Sequence, residues 1–159
     1  MKWYKAPAAA AIWTILRIWL GLQWFEAGYG KLTGGFDAGG FLGAIQPSQP
    51  WYADFLHRIA MPNIAVVNVI VPWGELLVGL GLIVGLATIP ALIAGAFMNL
   101  NFMLAGSTSI DPILYSAAII LLFTGSGSYF FGLDKFAIPY LKEDFKDNKG
   151  NKLKVFTRY

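Results

Sequence analysis

Four apolar runs, residues 9–27, 64–86, 89–104 and 112–131, constrain this chain more than any other feature. At 1.5 Å per residue, about 20 residues cross the roughly 30 Å of a bilayer's hydrocarbon core, a length that three of the runs reach and the third nearly reaches. A segment surrounded by lipid must satisfy its own backbone hydrogen bonds, which makes each run a helix. With 57% hydrophobic and only 13% charged residues, the chain is far less charged than the roughly 25% usual for a soluble domain. The fold class expected is all-α: an antiparallel bundle of four transmembrane helices embedded in the lipid bilayer.

The runs are punctuated unevenly. The second run ends at Leu86 and only Ala87 and Thr88 separate it from the third, with Pro90 just beyond, which fits a tight turn between antiparallel helices. The connection from Gly28 to Asn63 is long and rich in Gly and Pro, and its aromatic stretch Trp51-Tyr52-Ala53-Asp54-Phe55-Leu56 suggests a loop with one short interfacial helix. Lys2 and Lys5 precede the first run and seven basic residues follow the last, against Lys31 and Arg58 alone in the first and third connections. By the positive-inside rule both termini are cytoplasmic in the plasma membrane and the long first loop is extracytoplasmic. Residues 1–139 then form the transmembrane domain, and residues 140–159 a polar cytoplasmic tail with a turn at Asp147-Asn148-Lys149-Gly150-Asn151. A signal peptide is the rival reading of the first run, but Arg17 interrupts it and no small-x-small cleavage site follows at the right distance.

Arg17 and Glu75 are each the one formal charge near the middle of a run. A charge at that depth costs about 2.5–3.5 kcal/mol on insertion scales and therefore faces a partner, a cavity or a bound molecule. Counted from the cytoplasmic ends, Arg17, Glu75 and Asn99 lie at about 12, 16 and 15 Å, so an Arg17–Glu75 ion pair with Asn99 in its network is expected. Glu26 and Asn68 fall at about 25–27 Å and suggest a polar vestibule nearer the outside. Nine residues put Glu26 half a turn around the helix from Arg17, so the two should not share a partner. Trp24 and Trp73 lie where a flat ring could stack. His57 sits in the outer loop, and Asp111 before Pro112 reads first as a helix cap. Pro72, just before Gly74-Glu75, should kink the second helix and free carbonyls beside the carboxylate.

The absence of cysteine excludes thiol relays, disulfides and thiolate metal sites, and a single histidine excludes a multi-histidine metal or haem site within one chain. No metal site is expected. The modest net charge of +3, concentrated at the termini, reads as membrane orientation and gives no sign of nucleic-acid binding. No phosphate-binding loop, nucleophile elbow or His-Glu-x-x-His pattern is present, so no soluble-enzyme mechanism is indicated.

Arg17 followed by Gly21, Phe25, Gly28 and Lys31-Leu32, and Gly74-Glu75 followed by Gly79, Gly81 and the run from Leu82 to Thr88, resemble the DoxX/DoxD-like family of small four-helix membrane proteins. The likeness covers roughly residues 12–131, and Arg17, Lys31 and Glu75 match the family's recurrent charged positions. The resemblance implies a component of membrane redox systems; members include the small subunit of a thiosulfate:quinone oxidoreductase and proteins linked to quinol oxidase or thiol-oxidant defence. Read onto this chain, it implies a subunit that binds a quinone or similar apolar molecule between the helices. Glu75 and Arg17 would polarise that molecule or exchange protons with it, with Lys31 a candidate contact and a protein partner or second copy supplying what one chain lacks; Glu26, Asn68, Asn99, Trp24, Trp73 and His57 are candidate contacts by their own chemistry and depth, and His57 has no counterpart in the family's pattern. An assembly module whose ion pair is architectural, and a small transporter, are the competing functions.

Overall fold

The computed structural model describes residues 7–47, 49–107 and 110–140. The tail turn expected around Asp147 lies outside the described residues. Among the described residues the chain is helical and has no strand. The α-helices follow in order as α1 Pro7–Gly34, α2 Ala38–Ala44, α3 Pro50–Phe55, α4 Ile64–Val84, α5 Thr88–Ala105 and α6 Asp111–Thr124, and a further α-helical stretch occupies residues 134–140. A π turn, Leu56–Ala60, and a 3-10 turn, Met61–Asn63, link α3 to α4. The helix containing α1, the run from α3 through α4, and α5 are each long and apolar enough to cross a membrane.

Helices α1, α4, α5 and α6 pack around one core, in which Leu20 and Trp24 meet Val78 and Leu82, Leu92 and Ala96, and Leu114 and Leu121. The α1–α4 contact is the most intimate, because glycines let the two backbones touch. A Cβ on Gly21 would stand 3.0 Å from the Gly79 carbonyl, one on Gly28 would stand 2.8 Å from the Pro72 carbonyl, and one on Gly79 would collide with the Phe25 backbone. The helices are therefore antiparallel in a fixed register, with Gly28 level with residues 72–76 and Gly21 level with 79–83.

Three sequence expectations need correction. The first helix does not stop near Ala27 but continues for two more turns to Gly34, so Lys31 belongs to the bundle and not to a loop. Helix α6, from the fourth apolar run, ends at Thr124, well before residue 131, because Gly125 adopts φ +54° and begins a 3-10 turn, Gly125–Gly127. The connection between α1 and α4 carries two short helices, α2 and α3, where one was expected. The tight turn after α4 is present: Gly85 (φ +71°) and Ala87 (φ +54°) are left-handed, and Gly85 and Leu86 both donate their N–H to the Gly81 carbonyl.

The long connection forms a cap over one end of the bundle. Asp37 accepts from the N–H groups of Gly39 and Gly40 at the start of α2, while Asn68 Oδ1 accepts from Ala38 N at 2.7 Å and pins α2 to α4. Tyr52 donates its hydroxyl to Asn101 Oδ1 at 2.9 Å, tying α3 to α5. These pins hold Phe36 and Phe41 above the interior.

Overpacking at a backbone contact should cost about 3 kcal/mol, the upper end for inserted bulk. Gly28→Leu is expected to lower the thermal unfolding midpoint in detergent markedly, whereas Gly30→Leu, whose Cβ meets nothing within 4 Å, should leave it unchanged. Equal midpoints for the two variants would show that the α1–α4 contact does not set the register.

Candidate functional site

Arg17 and Glu75, expected to pair, do not. Side chains in a helix lean toward its N-terminus. On antiparallel helices this sends Arg17 away from Glu75, toward the α4–α5 turn, and sends Glu75 and Lys31 toward each other. With Arg17 against Gly85, Glu75 lies ten residues along α4, about 15 Å away at 1.5 Å per residue. Counting depth fails here because it takes the apolar runs to begin at one level, whereas α1 extends well beyond the end of α4.

Glu75 is instead held by Lys31, whose Nζ donates to Oε2 at 2.7 Å and to Oε1 at 2.8 Å. The carboxylate is 1% exposed and the lysine side chain 28%, so the pair has one buried and one accessible member. Lys31 Nζ also stands 5.7 Å from the Phe36 ring centroid and 5.8 Å from that of Phe102, within cation–π range. A lysine ammonium carries three N–H donors, and the Glu75 carboxylate engages two.

The pair lines a partly open cavity of about 220 Å³, walled by Gln23, Trp24 and Ala27 of α1, by Asn99 and Phe102 of α5, and by Asp111 and Leu114 of α6, with Phe36 and Phe41 from the cap. Asn99, fully buried, donates its amide to Asp111 Oδ1 and accepts from the Tyr115 backbone N–H, both at 3.2 Å. Ser107 donates to Asp111 Oδ2 at 2.7 Å, and Asp111 is close enough to act electrostatically on Glu75. The Trp24 indole N–H is buried and has no acceptor among the described residues. Two carboxylates, an ammonium and two amides thus line one small space between aromatic walls. Such a set can donate to a carbonyl oxygen and accept from a hydroxyl at the same time.

Of the candidate residues, Glu75, Lys31, Asn99 and Trp24 come together here. Asn68 is a structural pin on α2. Glu26 is exposed on the outer face of α1, Trp73 is 50% exposed, His57 is exposed, and none of the three lines this cavity. Asp111 is not a cap: it is the first residue of α6, Ile110 holds the N-cap position, and its side chain turns inward. The sequence signal for Lys31 is its heptad spacing from Arg17 and Trp24, which puts all three on one helical face.

Arg17 belongs to a separate polar knot at the opposite end of the bundle. It is 1% exposed and donates Nη2 to the Phe131 carbonyl at 3.3 Å, with Gly85 and Gly132 packed on its guanidinium. Asp134 lies close enough to act on it electrostatically and accepts from Ala87 N and Thr88 N at 2.7 Å each, capping α5. No cavity residue lies in this knot.

Breaking a buried ion pair from one side costs about 3–5 kcal/mol, while replacing both partners with apolar groups is often neutral. Lys31→Met is expected to destabilise the protein by about 3 kcal/mol and the double change Lys31→Met with Glu75→Leu to restore most of it. Strictly additive losses in thermal unfolding would show that the pair does not couple. Asp134→Ala, which removes two capping bonds and the countercharge of Arg17, should cost about 2–3 kcal/mol, measured the same way.

No curated protein and no solved structure matches this chain. The model of the DoxX family matches residues 12–108, which include Arg17, Lys31, Glu75 and Asn99 and stop just short of Asp111. That match spans well over half the sequence, and with its apolar helices it makes the chain a multi-pass membrane protein that belongs to the DoxX family.

Proposed function

We propose that this protein is a redox-associated membrane subunit that binds a quinone, or a similar apolar ring bearing oxygen substituents, in the cavity beside Lys31 and Glu75. The observation that carries the reading is a carboxylate–ammonium pair buried between aromatic rings in a space that remains open. The Arg17 guanidinium, by contrast, is packed against Gly85 and Gly132. In the proposed complex Lys31 donates to a ring carbonyl, Glu75 accepts a proton from a ring hydroxyl, and Trp24, Phe36 and Phe102 bound the ring faces. Asp111, held by Ser107 and Asn99, is the second carboxylate positioned to exchange protons with the first. Arg17, which its depth in the sequence pairs with Glu75, takes an architectural role.

The electrons come from or go to a partner subunit or a soluble donor, since the residues described here offer acid–base groups and ring contacts only. In the same reading α6 with the segment after it completes a fourth crossing, both termini lie in the cytoplasm, and the cavity faces the extracytoplasmic half of the plasma membrane.

Protein purified with its native lipids should carry a quinone detectable by solvent extraction and mass spectrometry, and Glu75→Gln should reduce it about tenfold, the loss of one charge-assisted hydrogen bond, with the helical content unchanged. A quinone content no higher than that of an unrelated membrane protein, or one indifferent to residue 75, would remove the basis for the proposal.

A further inference from the structure

A second cavity, of about 480 Å³, adjoins the first and shares Phe36, Phe41 and Phe102 with it. It lies between α4 and α5 under the cap, with Val67, Val71 and Gly74 on one side and Met98 and Ala105 on the other. Its polar groups are already engaged: Tyr52 donates to Asn101 Oδ1, Asn101 Nδ2 donates to the Phe97 carbonyl at 2.7 Å, and Asn63 Nδ2 donates to the Ile59 carbonyl at 2.8 Å. What it presents to an occupant is hydrocarbon. Ile59, Ile70 and Phe97 on its rim are 54%, 62% and 66% exposed, so the groove opens sideways on the surface that lipid covers.

Ligand pockets run from about 300 to 1,000 Å³, so the polar cavity alone is small for a ligand and the apolar one is not. The shared phenylalanines make them two chambers of one space, one polar and one apolar. We infer that the ligand is a single-chain amphiphile, a polar ring carrying an alkyl or isoprenoid tail, whose head sits at Lys31–Glu75 and whose tail passes Phe36, Phe41 and Phe102 into the α4–α5 groove and out to the bilayer. This rests on the ring-binding reading above and adds the class of ligand and its route of entry. Gly74 makes the groove: placed one residue before Glu75, it leaves a hollow beside the head, and a Cβ there would meet only the flexible end of Met98 at 3.4 Å.

The test compares a decyl-substituted benzoquinone with the same ring lacking the chain, by quenching of tryptophan fluorescence at fixed detergent. The wild-type protein should bind the decyl compound at least about tenfold tighter, the gain from burying as few as two methylenes. Gly74→Leu, which fills the groove, should bring the decyl compound down to the affinity of the bare ring without weakening the bare ring. Glu75→Gln should weaken both. Val71→Phe narrows the same groove from the next turn of α4 and serves if Gly74→Leu does not fold. Should the groove variants leave the decyl preference intact while the ring still binds, the tail lies elsewhere and the inference falls, though the ring site stands. Failure of wild-type protein to bind either compound overturns both. A phospholipid displaced by Gly74→Leu and indifferent to Glu75→Gln would make the groove an annular acyl-chain site and likewise overturn the inference.

Discussion

The backbone contact between α1 and α4 governs the rest of the molecule. Gly21, Gly28 and Gly79 remove the side chains that would hold the helices apart, and the register they fix decides which charges meet. Once Gly28 is seated against Pro72 and Leu76, the N-terminal lean of side chains on antiparallel helices brings Lys31 and Glu75 together and turns Arg17 the other way. A different register would leave Glu75 buried without a countercharge, at a cost of several kcal/mol.

The two buried charges that result have opposite surroundings. Around Arg17 the α4–α5 turn, the segment from Phe131 to Asp134 and the start of α5 close into a packed knot in which Asp134 both caps a helix and opposes the guanidinium. It joins three parts of the chain where α4 ends. Around Glu75 the packing is left incomplete: α6 brings Asp111, α5 brings Asn99 and Phe102, and the cap brings Phe36 and Phe41, yet a space remains among them. The cap is held by specific bonds at Asn68 and Tyr52, so the aromatic walls are anchored to the transmembrane helices.

Much of the fold is legible in the sequence because membrane helices advertise themselves by length and apolarity: the core helices and the tight turn at Gly85 follow from hydropathy and glycine placement. The end of α1 is not legible, since Gly28, Tyr29 and Gly30 break the apolar run although lipid-buried glycines serve packing and not termination. Ending the helix there removes Lys31 from the bundle and leaves Arg17 as the only visible cation for Glu75. Depth counting compounds the error, because helices in a bundle end at different levels and register is set by contacts between helices, which single-sequence counting does not contain. Glu75 and Asn99 are identifiable as polar groups at membrane depth. Asp111 reads as a cap because it precedes a proline, and only the tertiary position of Asn99 and Ser107 shows where its carboxylate points.

Dipolar recoupling by solid-state NMR in lipid bilayers tests the ion pairing most directly, using protein with nitrogen-15 in its lysine and arginine side chains and carbon-13 in its glutamate carboxyls. Lys31 Nζ lies within hydrogen-bond distance of both Glu75 oxygens, so a strong lysine–glutamate cross-peak is expected that vanishes in Lys31→Met. A guanidinium–carboxyl cross-peak that disappears in Arg17→Met, with none from Lys31, would contradict the register and with it the site.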